Sequence, residues 1–221
     1  MNKLRIDYLK NHPDYKVVQH EDMYHFNTDT CLLGEYIEIK KNEKVLDVGT
    51  NNGALLVYII KKGGIASGIE IEKDALEICK LTLKENQLKA NLIHGDFTTF
   101  DSHKAYDVIV SNPPYFDSQD EKEKNDNPYK SKARHEGQLN ITSLCYSLAM
   151  NLKDTGRIYL IYRISRFQEL EVNLNKNGLF IEKFQYVYDY RKKNPKVVLL
   201  TANFKKKVKF RQEDIYIGDK F

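Results

Sequence analysis

Apolar positions along the chain alternate between two rhythms. Short continuous or period-two runs occur at Lys44–Val48, Ile65–Ile71, Asn91–His94 and Tyr106–Ser111. Between them, Ala54–Lys62, stopped by Gly63 and Gly64, and Lys73–Gln87 carry apolar residues at helical spacing. Strand and helix in repeated succession predict parallel strands joined by helical crossovers. A helix over about 139–152, a strand over Gly156–Tyr162 and a helix over Ser165–Lys176 continue the series. Two longer strand patterns, Phe180–Tyr190 and Lys196–Phe204, are joined by the short Arg191–Pro195 segment. They predict an antiparallel pair. The whole predicts an α/β fold: a Rossmann-like, mostly parallel seven-stranded sheet with an antiparallel C-terminal pair and helices on both faces.

Residues 1–40 are mixed and polar, with apolar positions at helical spacing only over Asp29–Ile39. They are expected to form an extension that packs on or caps a ligand site. Residues 41–221 are expected to form the single main domain. Within it, 112–138 is a long polar loop, and loops of that length in compact domains are usually functional or disordered.

Composition adds limits. Three widely spaced cysteines, Cys31, Cys79 and Cys145, form neither a zinc pattern nor a disulfide framework and are expected to pack as small apolar residues. No apolar run is long enough to span a membrane, and no signal peptide is evident, so the cytoplasm is expected. The net charge of +4 is unevenly distributed. Residues 183–211 hold ten basic side chains against the single acid Asp189, leaving the rest of the chain net negative. Phe184, Tyr186, Tyr188 and Tyr190 interleave with them. This is either a solvated strand edge or a surface for a polyanion.

Candidate chemistry follows the strands. Val45–Gly53 runs strand, glycine turn, helix start, with Gly49, Asn51 and Gly53 in the turn. Such a turn lets a ligand approach the backbone. Asp47, just before it, would repel a pyrophosphate but suits a cationic amino-acid group, which favours S-adenosylmethionine over NAD. Glu70, ending the second of these strands, is placed to accept ribose hydroxyls. Asp96 and Phe97, after the third, are placed to meet the adenine. Ser111-Asn112-Pro113-Pro114-Tyr115 ends the fourth strand. The Asn112 side-chain oxygen and the Pro113 carbonyl can accept the two hydrogens of a planar exocyclic amine and free its lone pair. Prolines 113 and 114 stiffen the segment, and Tyr115 offers a face for stacking a base. No metal is called for.

These segments resemble the class I S-adenosylmethionine-dependent methyltransferases. Asn51 stands where that family usually has glycine, and asparagine tolerates the left-handed backbone an intact turn requires. Asn-Pro-Pro-Tyr resembles the motif of enzymes that methylate adenine N6, cytosine N4 or a glutamine amide. Phe26-Asn-Thr-Asp-Thr-Cys-Leu-Leu33, Ala133-Arg-His-Glu136 and the basic C-terminal strands are similar to bacterial transfer-RNA adenine N6-methyltransferases, which modify the adenosine beside the anticodon of a valine tRNA. The resemblance implies that Thr28 and Asp29 line or close the cofactor pocket; equally, Asp29 is a candidate helix cap. It implies tRNA contacts for Arg134, His135, Arg191, Lys192, Lys193, Lys205, Lys206 and Lys207, with a monomeric enzyme. For Arg134, His135 and Glu136, a solvated charge cluster is the alternative.

Rival readings are a protein glutamine methyltransferase, for which forty residues leave little room for the usual preceding helical domain, and a guanine N2 methyltransferase of ribosomal RNA. An RNA-binding module with a degenerate cofactor site would require Asp47, Glu70 and Asn112 all to be accidental.

Overall fold

The computed structural model describes residues 3–113 and 140–218. The chain opens with a hairpin, β1 (Leu4–Leu9) and β2 (His12–His20), followed by α1 (Thr28–Tyr36). The predicted alternation comes next: β3 (Lys44–Val48), α2 (Ala54–Lys61), β4 (Ile65–Glu70), α3 (Lys73–Glu85), β5 (Asn91–His94) and β6 (Tyr106–Ser111). Then come α4 (Ile141–Asn151), β7 (Leu152–Arg163), a 3₁₀ turn (Ile164–Arg166), α5 (Phe167–Lys176), β8 (Phe180–Asp189) and β9 (Val197–Asn203). Two short strands, β10 (Phe210–Arg211) and β11 (Ile215–Ile217), finish the described chain.

The main sheet has the order β8-β9-β7-β6-β3-β4-β5, parallel from β7 to β5 and antiparallel at β9. These are the seven expected strands. Beyond them, β10 and β11 each pair with β8 in parallel, extending that edge. Their two- and three-residue lengths leave no periodicity to read from sequence.

Alternation within the strands builds two cores. Val45, Val108, Val110, Tyr159 and Ile161 point to one face, with α1 and α2. Leu46, Ile109, Ile158 and Leu160 point to the other, with α4 and α5. Helix α2 is buried from Ala54 to Ile59, all around its axis. A helix apolar on every side needs a cover on its outer side, and the N-terminal forty residues supply it. Tyr58 of α2 lies edge-on to His12 and Tyr15 of β2. The hairpin is also tied to α3: Val18 N donates to Thr82 Oγ1 at 3.0 Å, and Lys16 N donates to Asn86 Oδ1 at 3.0 Å. Leu9, Val17, Leu33 and Ile37 belong to the same apolar cluster as the sheet.

The α1–α2 contact depends on Gly34. A Cβ there would lie 2.3 Å from the ring of Tyr58, which is 1% exposed. Alanine normally improves a helix interior by about 1 kcal/mol over glycine. Here the overlap reverses the sign. We expect Gly34→Ala to lower unfolding stability by roughly 1–3 kcal/mol, measured as a reduced urea midpoint with unchanged slope.

Candidate active site

The site is assembled at the carboxyl ends of β3, β4 and β6. Val48 of β3 pairs with Ile69 of β4 and with Ser111 of β6. One residue beyond that level, the glycine turn leaves β3 and Asn112 leaves the adjacent β6. Ser111, fully buried, clamps the register by donating its hydroxyl to Val48 O at 2.9 Å. Gly49 and Thr50 donate their backbone N–H groups to Ile69 O, closing the turn against β4.

The turn has the expected conformation. Gly49, Asn51 and Gly53 all have left-handed φ, at +72°, +47° and +81°. Asn51 also acts through its side chain, donating Nδ2 to Tyr24 O at 3.0 Å and tying the turn to the N-terminal segment. A Cβ on Gly49 would meet nothing within 4 Å, so the outer side of the turn is open.

Two carboxylates lie at this turn. Asp47 is fully buried; its Oδ2 accepts from Thr50 Oγ1 at 2.7 Å, and its Oδ1 has no hydrogen-bond partner among the described residues. Burial, opposed by the Thr50 bond and reinforced by the charge of Glu70, pushes its carboxyl up to about 7. Glu70 accepts three backbone N–H groups: Asn51 on Oε2 at 2.9 Å, and Ile71 and Glu72 on Oε1 at 2.9 and 3.1 Å. It thus ties the turn to the end of β4. Asp96 accepts from Thr98 N at 2.8 Å in a turn after β5. Phe97 is buried within the α4–α5 core.

Helix α1 closes the other side. Its cap is Asn27, whose Oδ1 accepts from Thr30 N at 3.1 Å, so Asp29 is not the capping residue. Asp29 is buried in the first turn, and burial raises its carboxyl against the opposing charges of Lys196 and Arg163. Thr28 is half-buried beside it. Thr30 Oγ1 accepts from Asn112 Nδ2 at 3.1 Å. Pro113 is buried. Pro114, Tyr115, Arg134, His135 and Glu136 lie outside the described residues.

The basic residues separate into two groups. Strand pairing of Arg163 with Val197 and of Ser111 with Leu160 carries the β8–β9 connection, with Arg191, Lys192, Lys193 and Lys196, past the level of Asn112. Asn203 pairs with Phe180 at the other end of the sheet, so Lys205, Lys206 and Lys207 follow there. The structure does not bring these three to the site. Several other cations of the segment are paired: Lys183 with Glu38, Lys207 with Glu182, Lys209 with Glu171 and Arg211 with Asp214. Lys192, Lys193 and Lys196 form no ion pair among the described residues. The aromatic row divides likewise. Phe184 and Tyr186 pack on Phe167, whereas Tyr188 stacks on Tyr216 at 5.1 Å, toward the end of the sheet where Asn112 lies.

Residues 15–139 match the methyltransferase small domain family. The chain belongs to that family. It is 26% identical to a tRNA1(Val) (adenine(37)-N6)-methyltransferase of Flavobacteriaceae bacterium (strain 3519-10), over 93% of this chain and 88% of the relative. An enzyme of the same name from Aliivibrio fischeri is 30% identical, over 79% and 75%. Among solved structures, a T. Thermophilus 16S rRNA methyltransferase in complex with AdoMet and guanosine aligns with TM-score 0.65 at 17% identity, over 91% of this chain and 50% of that one. A Pyrococcus abyssi tRNA (uracil-54, C5)-methyltransferase in complex with S-adenosyl-L-homocysteine aligns at 0.63 and 15%, over 90% and 43%. These likenesses show the class I methyltransferase fold.

For a methyltransferase, the charges at the turn are apt. An orphaned buried carboxylate oxygen beside a second carboxylate, under an open glycine turn, fits a cationic ligand and opposes pyrophosphate. Among the described residues no cluster could hold a metal ion. No helix among them is long and apolar enough to cross a membrane. All three cysteines are free and buried. Sequence reasoning missed Asn27, Thr30 and Arg163, and counted Lys196 only as part of the basic stretch. The asparagine cap before an apolar helix was a readable signal; the others depend on contacts between distant segments.

Asp47 gives this methyltransferase a pH signature. Its carboxyl titrates near 3.8 when unfolded and near 7 when folded, so between these values the folded state holds the extra proton. Stability is therefore greatest below about pH 4 in this respect and declines as pH rises toward about 7. We expect Asp47→Asn to lessen that decline. Near pH 8 the ligand-free variant should exceed the parent by about 2–4 kcal/mol, and near pH 4 the two should differ little. Urea unfolding at both pH values checks this.

Proposed function

We propose that this methyltransferase transfers the methyl group of S-adenosylmethionine to N6 of adenosine 37 in a valine tRNA. The observation that carries the reading is the placement of Asn112 beside the glycine turn, level with the ends of β3 and β6. Support for the substrate comes from relatives bearing that name along most of the chain. The guanine N2 alternative has the likeness to the 16S rRNA N2 G1207 methyltransferase, but at 17% identity that likeness carries the fold and not the substrate.

The residues divide the work by their chemistry. Asp47, Gly49, Asn51, Gly53 and Glu70 hold the cofactor, the carboxylates answering its positive charge and its ribose. Asp96 and Phe97 flank the adenine end. Thr28, Asp29 and the rest of the N-terminal forty residues cover the cofactor side. The cofactor supplies a sulfonium methyl, a strong electrophile. The Asn112 side-chain oxygen and the Pro113 carbonyl accept the two hydrogens of the target amine, which turns its lone pair out of ring conjugation. Positioning is then the main catalytic contribution. Pro114 keeps the segment stiff, and Tyr115 stacks the extruded base. Arg191, Lys192 and Lys193, with Arg163 and Lys196, meet tRNA phosphates beside the site, and Arg134 and His135 add contacts from the loop. The enzyme acts as a cytoplasmic monomer without metal.

Incubation with labelled S-adenosylmethionine and total tRNA, followed by nucleoside analysis, tests the reading. N6-methyladenosine is the expected product; labelled protein or N2-methylguanosine would replace the reading with one of its rivals. Asn112→Ala should lower kcat by roughly 10²–10³-fold while S-adenosylhomocysteine affinity, measured by calorimetry, stays within a few-fold. Charge reversal at Lys192 and Lys193 together should weaken tRNA binding at least about tenfold and reduce the salt slope by about 1–2. The same reversal at Lys205, Lys206 and Lys207 should change binding by less than about twofold. Filter binding across a salt series compares the two.

A further inference from the structure

We infer that Thr30 is a positioning residue for the methyl transfer: it sets which end of the Asn112 amide faces the substrate. The inference rests on the role proposed for Asn112 above. A side-chain amide has two nearly isosteric ends, one accepting and one donating. Only the accepting end can take a hydrogen from the target amine. Something must therefore choose between the two orientations before substrate arrives.

The choice can be followed from a backbone N–H. Thr30 N can only donate, and it donates to the Asn27 side chain at 3.1 Å, so that atom is the oxygen Oδ1. The Thr30 hydroxyl also faces this oxygen, at 3.4 Å, a long contact whose acceptor favours a hydroxyl proton directed toward Asn27. What Thr30 Oγ1 then offers Asn112 is a lone pair. Asn112 meets it with Nδ2, at 3.1 Å. With the nitrogen directed to α1, Oδ1 takes the opposite branch of the planar amide. Reversing Asn112 would set oxygen against oxygen unless the Thr30 proton abandoned Asn27.

The relay is held in place. Thr30 is 8% exposed in the first turn of α1, and the turn is anchored by its Asn27 cap. Asn112 follows Ser111, whose hydroxyl is bound to β3. The two partners come from segments 82 residues apart, so only the fold joins them.

Thr30→Val keeps the shape and the backbone cap but removes the hydroxyl; Thr30→Ser keeps the hydroxyl. With the full chain, S-adenosylmethionine and the same tRNA, Thr30→Val is expected to lower kcat roughly 10–100-fold. The KM for tRNA and the affinity for S-adenosylhomocysteine should stay within about twofold. Thr30→Ser should recover most of the lost rate. Combined with Asn112→Ala, Thr30→Val should add no further loss, because the residue it orients is gone. In ¹⁵N spectra, the side-chain amide signals of Asn112, identified by their disappearance in Asn112→Ala, should shift in Thr30→Val and return in Thr30→Ser. Wild-type kcat in Thr30→Val, serine no better than valine, or unshifted amide signals would overturn the inference. Full activity in Asn112→Ala would instead overturn the role given to Asn112, a result separable from the spectra.

Discussion

The parallel register between β3 and β6 is the constraint on which the rest of the site depends. Val48 opposite Ser111 brings the glycine turn and Asn112 to the same height on adjacent strands. A slip of one residue would send every side chain of β6 to the other face. Val108 and Val110 would then leave one core and Ile109 the other. Burial on both faces therefore enforces the register far more strongly than any single hydrogen bond. The Ser111 hydroxyl adds about 1 kcal/mol of local specificity, at the point where the strand must stop and Asn112 begin. Core packing and the placement of Asn112 level with the glycine turn are thus one requirement imposed on the same six residues.

The same economy governs the N-terminal forty residues. Their hairpin and helix cover α2, which is too apolar to face water, and they reach the site at two places. Asn51 is held to Tyr24, and Asn112 to Thr30. Asn51 shows how a departure from the common glycine can be absorbed. Its backbone accepts the left-handed conformation, and its amide gains a partner glycine would lack. At the turn itself, Asp47 works against stability. An uncompensated buried carboxylate with an elevated pKa is costly in the ligand-free protein. Such a cost is tolerable where a cationic ligand offsets it on binding.

Much of this was legible in the sequence because its signals are local. The strands Lys44–Val48, Asn91–His94 and Tyr106–Ser111 have the limits their apolar runs predict. The strand before α5 begins earlier than expected, at Leu152, because Leu152 itself pairs with Tyr106, and a register irregularity separates that pair from the next, Arg157 with Val108. The hairpin of residues 4–20 was not legible. Its outer strand exposes Leu4, Ile6 and Tyr8, so apolar residues there do not mark the buried face. In the site, Asp47 and Asn112 were identifiable from position after successive strands. The neighbours of Glu70 were not: its carboxylate binds three backbone amides, and backbone donors leave no mark in composition.

Charge was the least transferable signal, for a reason of distance. The basic C-terminal segment looks continuous along the chain, yet β9 carries its two halves to opposite ends of the sheet. Seven residues of strand span about 20 Å, more than two screening lengths at physiological salt. The two clusters cannot act on one phosphate group together. At the far end Lys207 meets Glu182, and along β10 Lys209 and Arg211 meet Glu171 and Asp214. The excess of negative charge elsewhere in the sequence is thereby spent on much of this segment. Beside Asn112, Lys192, Lys193 and Lys196 form no ion pair among the described residues, and burial raises the carboxyl of Asp29 against the charge of Lys196. Arg191, near them, meets Asp189. Each end therefore keeps lysines without an ion pair among the described residues, Lys192, Lys193 and Lys196 at one and Lys205 and Lys206 at the other. It is the first group that lies at the level of Asn112, where a polyanion presenting a base would approach.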